Sequence, residues 1–163
     1  MQIKYLGKEK FQVKSKDVEV DLGYTVAING FVLPGPGEYE KNGVFVEGIA
    51  DGENTIYNCK AEEINLCYLG KLNHELSSEE TKGIGDVDIL FVPLGEEGSL
   101  SAKKALNVIS SIDPRIVIPM LYSDLSEFKK SEGISDGEMD LYKIKKSELP
   151  EDERQNVILV GPK

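Results

Sequence analysis

The chain has 163 residues, 40% of them hydrophobic and 29% charged, the composition of a globular protein with a substantial core. A formal net charge of -10 disfavours a phosphate-tracking surface, because nucleic-acid affinity rests on clustered lysine and arginine. No apolar run approaches the length that spans a bilayer, and the opening Met1-Gln2-Ile3-Lys4-Tyr5-Leu6 lacks a signal-peptide pattern, so the expectation is one cytoplasmic domain over 1–163 with neither nucleic acid nor membrane as partner.

Gln2–Leu6 and Phe11–Val13 read as short strands joined by Gly7-Lys8-Glu9-Lys10. Val18–Leu22 alternates apolar and acidic residues and predicts a third. Tyr24–Asn29 and Phe31–Leu33 predict further strand, with Gly30 at a bulge or turn. Pro34-Gly35-Pro36-Gly37-Glu38-Tyr39-Glu40 predicts a loop, because proline cannot donate to a ladder; it is either a rigid connection or the wall of a pocket. Val44–Ile49 predicts strand, Asp51-Gly52 a turn, and Asn54–Lys60 with Ile64–Leu69 a hairpin turning at Glu62-Glu63. Pairing Ala61 with Ile64 sets Cys59 opposite Leu66 and Cys67 opposite Asn58. The two thiols then point to opposite faces, and no disulfide is expected.

Ser77-Ser78-Glu79-Glu80 offers a cap and first-turn acids, predicting a helix to about Lys82 that Gly83 and Gly85 end. Val87–Pro93 is almost continuously apolar, the pattern of a strand buried on both faces. Ser99–Ile112 is amphipathic after a serine cap, and Asp113-Pro114 stops it. Arg115–Met120 is a second buried strand, so the unit is strand–helix–strand with a parallel pair. Asp124–Ser131 predicts a short helix capped by Tyr122-Ser123-Asp124 and ended by Gly133. Met139–Lys145 and Asn156–Val160 read as closing strands around a charged turn, Ser147–Arg154. Antiparallel hairpins followed by a βαβ unit imply α+β architecture, sheet covered by helices.

The stretch that concentrates chemistry is Cys67–Leu76: a strand end, a glycine turn, and polar residues that include the single histidine, His74. Ligand sites in α/β proteins favour such strand ends. Two cysteines and one histidine are too few for a closed Cys/His zinc site. His74 has two readings, a hydrogen bond within a turn or a general base, and no serine or cysteine is placed beside it by the pattern. Lys8, Lys71 and Tyr68 are either surface and gap-filling residues or a cation-and-phenol pocket for a small anionic ligand. Glu96 and Glu97 follow a buried strand in a glycine-flanked loop, but adjacent side chains diverge, which suits acid–base work poorly.

An ordered set of segments resembles the metallo-β-lactamase superfamily, in the branch of zinc-dependent hydrolases related to the ascorbate-phosphate lactonases. The segments are Asn54-Thr55-Ile56-Tyr57, Cys67–Leu76, Gly85–Pro93 and Pro114–Met120, with Pro36–Glu40, Gly43-Val44-Phe45 and Ile144–Pro150 in support. The resemblance implies an αββα sandwich, two mixed sheets flanked by helices, with metals at one sheet edge. It also implies what is missing. The family's H-x-H-x-D-H signature has no counterpart in a chain with one histidine, and the region between Asp21 and Leu33 is short, so the fold is expected in shortened form. The family's His-Leu-Gly-Asp corresponds to Tyr68-Leu69-Gly70-Lys71, its Ile-Pro-Met-His to Ile118-Pro119-Met120-Leu121, and its early Gly-His to Gly7-Lys8. Tyr68, Lys71 and Leu121 thus stand at vestigial ligand positions, and no metal is expected there. Leucine cannot ligate, and an ammonium 4 Å from a cation is repelled by about 4 kcal/mol per unit charge near a surface. Lys71 could instead replace the lost ions by pairing with neighbouring acids.

Three functions remain open on this reading. One is a degenerate, non-catalytic member that acts by binding or assembly, as a homo-oligomer for example. The second is a metal-dependent hydrolase with residual or altered activity. The third is a small-anion binding module built on Lys71.

Overall fold

The computed structural model describes residues 1–95, 98–135 and 137–162. In chain order it forms β1 (Gln2–Gly7), β2 (Lys10–Ser15), β3 (Val18–Leu22), β4 (Ala27–Ile28), β5 (Phe31–Val32), β6 (Gly37–Lys41), β7 (Val44–Asp51), β8 (Asn54–Ala61) and β9 (Ile64–Tyr68). Then follow α1 (Ser78–Ile84), β10 (Ile89–Pro93), α2 (Ala102–Ile112), β11 (Ile116–Met120) and α3 (Ser126–Glu132). The chain closes with β12 (Glu138–Met139), β13 (Leu141–Lys143), a 3₁₀ turn (Lys146–Glu148), β14 (Gln155–Asn156) and β15 (Ile158–Leu159).

A six-stranded sheet runs β13-β1-β2-β3-β4-β5, antiparallel throughout. A seven-stranded mixed sheet runs β14-β11-β10-β9-β8-β7-β6, and β12 pairs with β15 apart from both. The two apolar runs do make the parallel pair β10–β11, in register from Ile89↔Ile116 to Pro93↔Met120. One core lies between the sheets, where Ile3, Phe11, Val13 and Val20 meet Val46, Leu66, Phe91 and Ile118. A second lies between the seven-stranded sheet and the helices, where Cys67, Leu90, Val92 and Val117 meet Ile84, Val108, Ile109 and Phe128. Burying Val108, Ile109 and Ile112 on α2 contributes about 1.5–3 kcal/mol per side chain. The other face of the six-stranded sheet turns Lys4, Gln12, Lys14 and Asp21 outward, the polar alternation of strands wet on one side.

The Cys hairpin has the expected register, Ala61↔Ile64, Cys59↔Leu66 and Asn58↔Cys67. Cys59 enters the inter-sheet core and Cys67 the helix-side core, and both remain free thiols. Its turn residues Glu62 and Glu63 both have positive φ, at 52° and 62°. The Glu62 carboxylate anchors that turn, accepting from the Met1 ammonium at 2.9 Å and from Ser15 Oγ at 2.9 Å.

Several elements depart from the sequence reading. Gly37–Glu40 is not loop: it belongs to β6, which pairs with β7 at the edge of its sheet, and the prolines fall just outside it. Of Tyr24–Asn29 only Ala27 and Ile28 fall in a strand, the hairpin with β5 turns at once on Asn29-Gly30, and Tyr24 stands 84% exposed. Helix α1 runs through Gly83 to Ile84, whose side chain is buried, and Gly85 caps it. The cap of α2 is Ser101, which accepts from Lys104 N–H at 3.3 Å. Before α3, Asp124 Oδ1 accepts from Ser126 N–H at 2.9 Å, as a capping acid should, though Leu125 occupies the cap position.

One polar group joins the starts of three parallel strands. Asp88 is 6% exposed; its carbonyl accepts from the Arg115 and Ile116 amides at 3.1 and 2.8 Å. Its carboxylate accepts from Asn65 N–H at 2.8 Å, with Arg115 Nε and Lys146 Nζ at 3.4 and 3.3 Å.

Candidate functional site

At the opposite, C-terminal end of β9 lies a cleft of about 1030 Å³. Leu33, Pro34 and Gly35 form part of its wall, so the proline-rich segment does shape a pocket. The turn between β7 and β8 supplies Asp51, Gly52, Glu53 and Asn54, and the chain leaving β9 supplies Tyr68, Gly70, Lys71, Asn73 and His74.

Asn54 binds these two segments together. Its amide nitrogen donates to Leu69 O at 3.0 Å and to Asp51 Oδ2 at 3.1 Å, and its oxygen accepts from Lys71 N–H at 3.0 Å. Gly70 permits the approach. Its φ is +61°, and a Cβ there would fall on Asn54 Oδ1 and 3.1 Å from Thr55 O.

Two of the positions expected as vestigial ligands, Tyr68 and Leu121, make structural contacts. Tyr68 is 2% exposed, and its hydroxyl donates to Glu9 O at 2.9 Å. Burial first, then the nearby Glu9 carboxylate and Tyr5 phenol, push that phenol well above its ordinary range. Leu121 is 6% exposed, does not line the cleft, and donates its amide to Lys8 O at 3.0 Å. Lys8 O also accepts from Tyr5 Oη at 2.6 Å. The turn between β1 and β2 is therefore fastened against the ends of β9 and β11. Lys8 itself does not line the cleft, so the expected grouping of Lys8, Lys71 and Tyr68 reduces to the last two. Lys71 makes no ion pair among the described residues; its ammonium lies 5.8 Å from the centroid of the Tyr24 ring, a cation–π distance. The Glu96–Glu97 pair lies outside the described residues.

His74 is engaged at both ring nitrogens. Nε2 lies 2.7 Å from Asp51 Oδ1 and Nδ1 lies 2.9 Å from Glu75 O. The Asp51 hydrogen bond first, then the Glu75 carbonyl, raise its pKa above the ordinary histidine value; burial opposes them, and the Asp51 and Glu80 charges add to the rise. Glu80 closes a capping box with Ser77, its Oε2 accepting from Ser77 N–H at 2.7 Å. One donor atom from each of Asp51, His74 and Glu80 falls within 4.8 Å of the others. Sequence reasoning missed this group. Asp51 reads as a turn residue and Glu80 as a helix-start acid. The one available signal was the Ser77-x-x-Glu80 box, which fixes Glu80 in the first turn of the helix that follows His74.

Two sheets face to face, helices against the outer side of one of them, and a cleft at its strand ends define the metallo-β-lactamase type of sandwich. The sequence profile of the beta-lactamase superfamily domain matches residues 20–121, and the chain belongs to the metallo-β-lactamase superfamily. It is similar to a crystal structure of a candidate Zn-dependent hydrolase of that superfamily from Thermotoga maritima, with a TM-score of 0.81 and 22% identity over 98% of this chain and 100% of the other. It is also similar to Igni18, a metallo hydrolase from Ignicoccus hospitalis, with a TM-score of 0.62 and 15% identity over 88% and 99% of the two chains. At those identities the likeness concerns the fold. A curated relative, the UPF0173 protein PF0020 of Pyrococcus furiosus, is 34% identical over 70 residues, and the match covers 40% of this chain and 32% of that protein's length.

The residues present do not fit the two-ion centre that the resemblance implies. Zinc is held by thiolate, imidazole and carboxylate, and a phenol already donating to a carbonyl, an ammonium and an isobutyl group supply none of these.

Proposed function

We propose that this chain is a non-catalytic member of the superfamily, in which the two-metal hydrolytic centre has been replaced and the strand-end cleft acts by binding. One observation carries the reading: Tyr68 and Leu121, at two of the ligand positions, are buried and instead hold the Lys8–Glu9 turn through the Tyr68 hydroxyl and the Leu121 amide. The Tyr68 side chain, fastening a turn through its hydroxyl, has a packing reason to persist without metal, while the Leu121 contact runs through the backbone and its side chain is simply buried. The cleft also carries Glu9, Asp51 and Glu53 beside Lys71, a balance that suits a cationic or neutral ligand better than a polyanion.

The test is metal analysis of protein purified without chelator, together with hydrolysis assays on lactone, β-lactam and phosphodiester substrates. The expected result is no hydrolysis above background. Two ions per chain, with hydrolysis that disappears on chelation, would overturn the proposal.

A further inference from the structure

We propose that Asp51, His74 and Glu80 form a binding site for one divalent first-row cation, zinc in the first instance, at the rim of the cleft. This goes beyond the non-catalytic reading, because it places a cation away from Tyr68, Lys71 and Leu121 and assigns it no hydrolysis. The three side chains come from the end of β7, from the segment after β9 and from the first turn of α1, and their donor atoms lie within 4.8 Å of one another.

The neighbouring groups orient these donors, and an incoming cation would displace the proton between His74 and Asp51. Glu75 O, 2.9 Å from His74 Nδ1, can only accept, so Nδ1 carries its hydrogen and Nε2 becomes the ligating atom. A ligating histidine commonly donates its other N–H to a carbonyl in this way. Nε2 faces Asp51 Oδ1 at 2.7 Å, another acceptor, so a proton or a cation must lie between them. Asn54 Nδ2 holds Asp51 Oδ2 at 3.1 Å and leaves Oδ1 turned to the histidine. Glu80 gives Oε2 to the Ser77 amide and keeps Oε1 available. Donors around a tetrahedral zinc ion sit about 3.3–3.5 Å apart at bonds of about 2.0–2.1 Å, so binding asks for side-chain shifts of about 1 Å. Imidazole with two carboxylates suits zinc, and three protein ligands leave a fourth position for water or a ligand.

The experiment is calorimetric titration of the metal-free full chain with zinc chloride, repeated with cobalt chloride to follow the visible absorption of the bound ion. One ion per chain is expected. His74→Ala and Asp51→Asn should each weaken binding by about tenfold or more. Glu80→Gln retains an oxygen for the Ser77 amide, keeps the helix cap, and should still weaken binding severalfold. Glu19→Gln, on the six-stranded sheet, should leave it unchanged, and far-ultraviolet circular dichroism should show every variant folded. No binding by the wild type, or unchanged affinity in folded His74→Ala, overturns the site. Those results leave the non-catalytic reading standing, which falls instead on two ions per chain with chelator-sensitive hydrolysis.

Discussion

Replacing Gly70 by alanine tests the way the cleft is assembled. The backbone there has φ +61°, a left-handed conformation that costs an L-residue about 1–2 kcal/mol. The added methyl would also displace the Asn54 amide, which bonds to Leu69 O and to Lys71 N–H at 3.0 Å each. Each of those bonds has a net worth of about 0.5–1.5 kcal/mol. The expected total is a loss of about 2–5 kcal/mol, or a fall in Tm of about 4–20 °C for a domain of this size. Urea unfolding followed by circular dichroism measures it, with an unchanged slope marking a change in stability alone. Asn54→Ala removes the obstructing amide in advance. The double variant should therefore lose less than the sum of the two single ones, by about 1 kcal/mol. A Gly70→Ala protein within about 0.5 kcal/mol of wild type, or strict additivity in the cycle, would refute the close approach as the reason for glycine.

Two further measurements probe the hairpin at the other end of the molecule. Burial would raise the Glu62 pKa, but the Met1 ammonium and the Ser15 hydroxyl bonded to it lower it further, and the net shift is downward. A group with a lowered folded pKa adds stability above its ordinary value of 4.5 and loses it as pH falls through the folded one. Glu62→Gln should accordingly be less stable than wild type at pH 7, and the gap should close in unfolding titrations carried below about pH 4.5. Burial raises the Cys59 thiol to about 12 and lifts Cys67 as well, so neither should react with a thiol-specific reagent at pH 8 until the chain unfolds. Rapid labelling of the native protein would contradict the register that sends them into separate cores.

The architecture was legible wherever periodicity or turn chemistry acted locally. The runs ending at Pro93 and Met120 announced a parallel pair because only a strand covered on both faces tolerates them. The Cys59–Cys67 hairpin followed from one turn and the alternation of side chains. Strand β6 was hidden because Pro34 and Pro36 masked the pairing residues after them. The departures at Tyr68, Lys71 and Leu121 were visible in the resemblance, but not that two of them would fasten the Lys8–Glu9 turn, since those residues lie far from it in sequence. The Asp51–His74–Glu80 group was out of reach for a similar reason. Asp51 and His74 are separated by the whole β8–β9 hairpin, and only its register brings the two ends together.

The position of Asp88 separates what holds the sandwich together from the end that carries the cleft. Its carbonyl and carboxylate fasten the beginnings of β9, β10 and β11. Tyr68 closes β9, and Lys71 and Leu121 stand just beyond the other ends of β9 and β11, where connections leave the sheet. The molecule thus has a stitched end and a permissive end. Substitutions at the permissive end can change chemistry without loosening the strand starts, so a lineage can discard a reaction there and still inherit the same fold. Amide exchange should reveal the same polarity, slowest near Asp88 and fastest around the cleft.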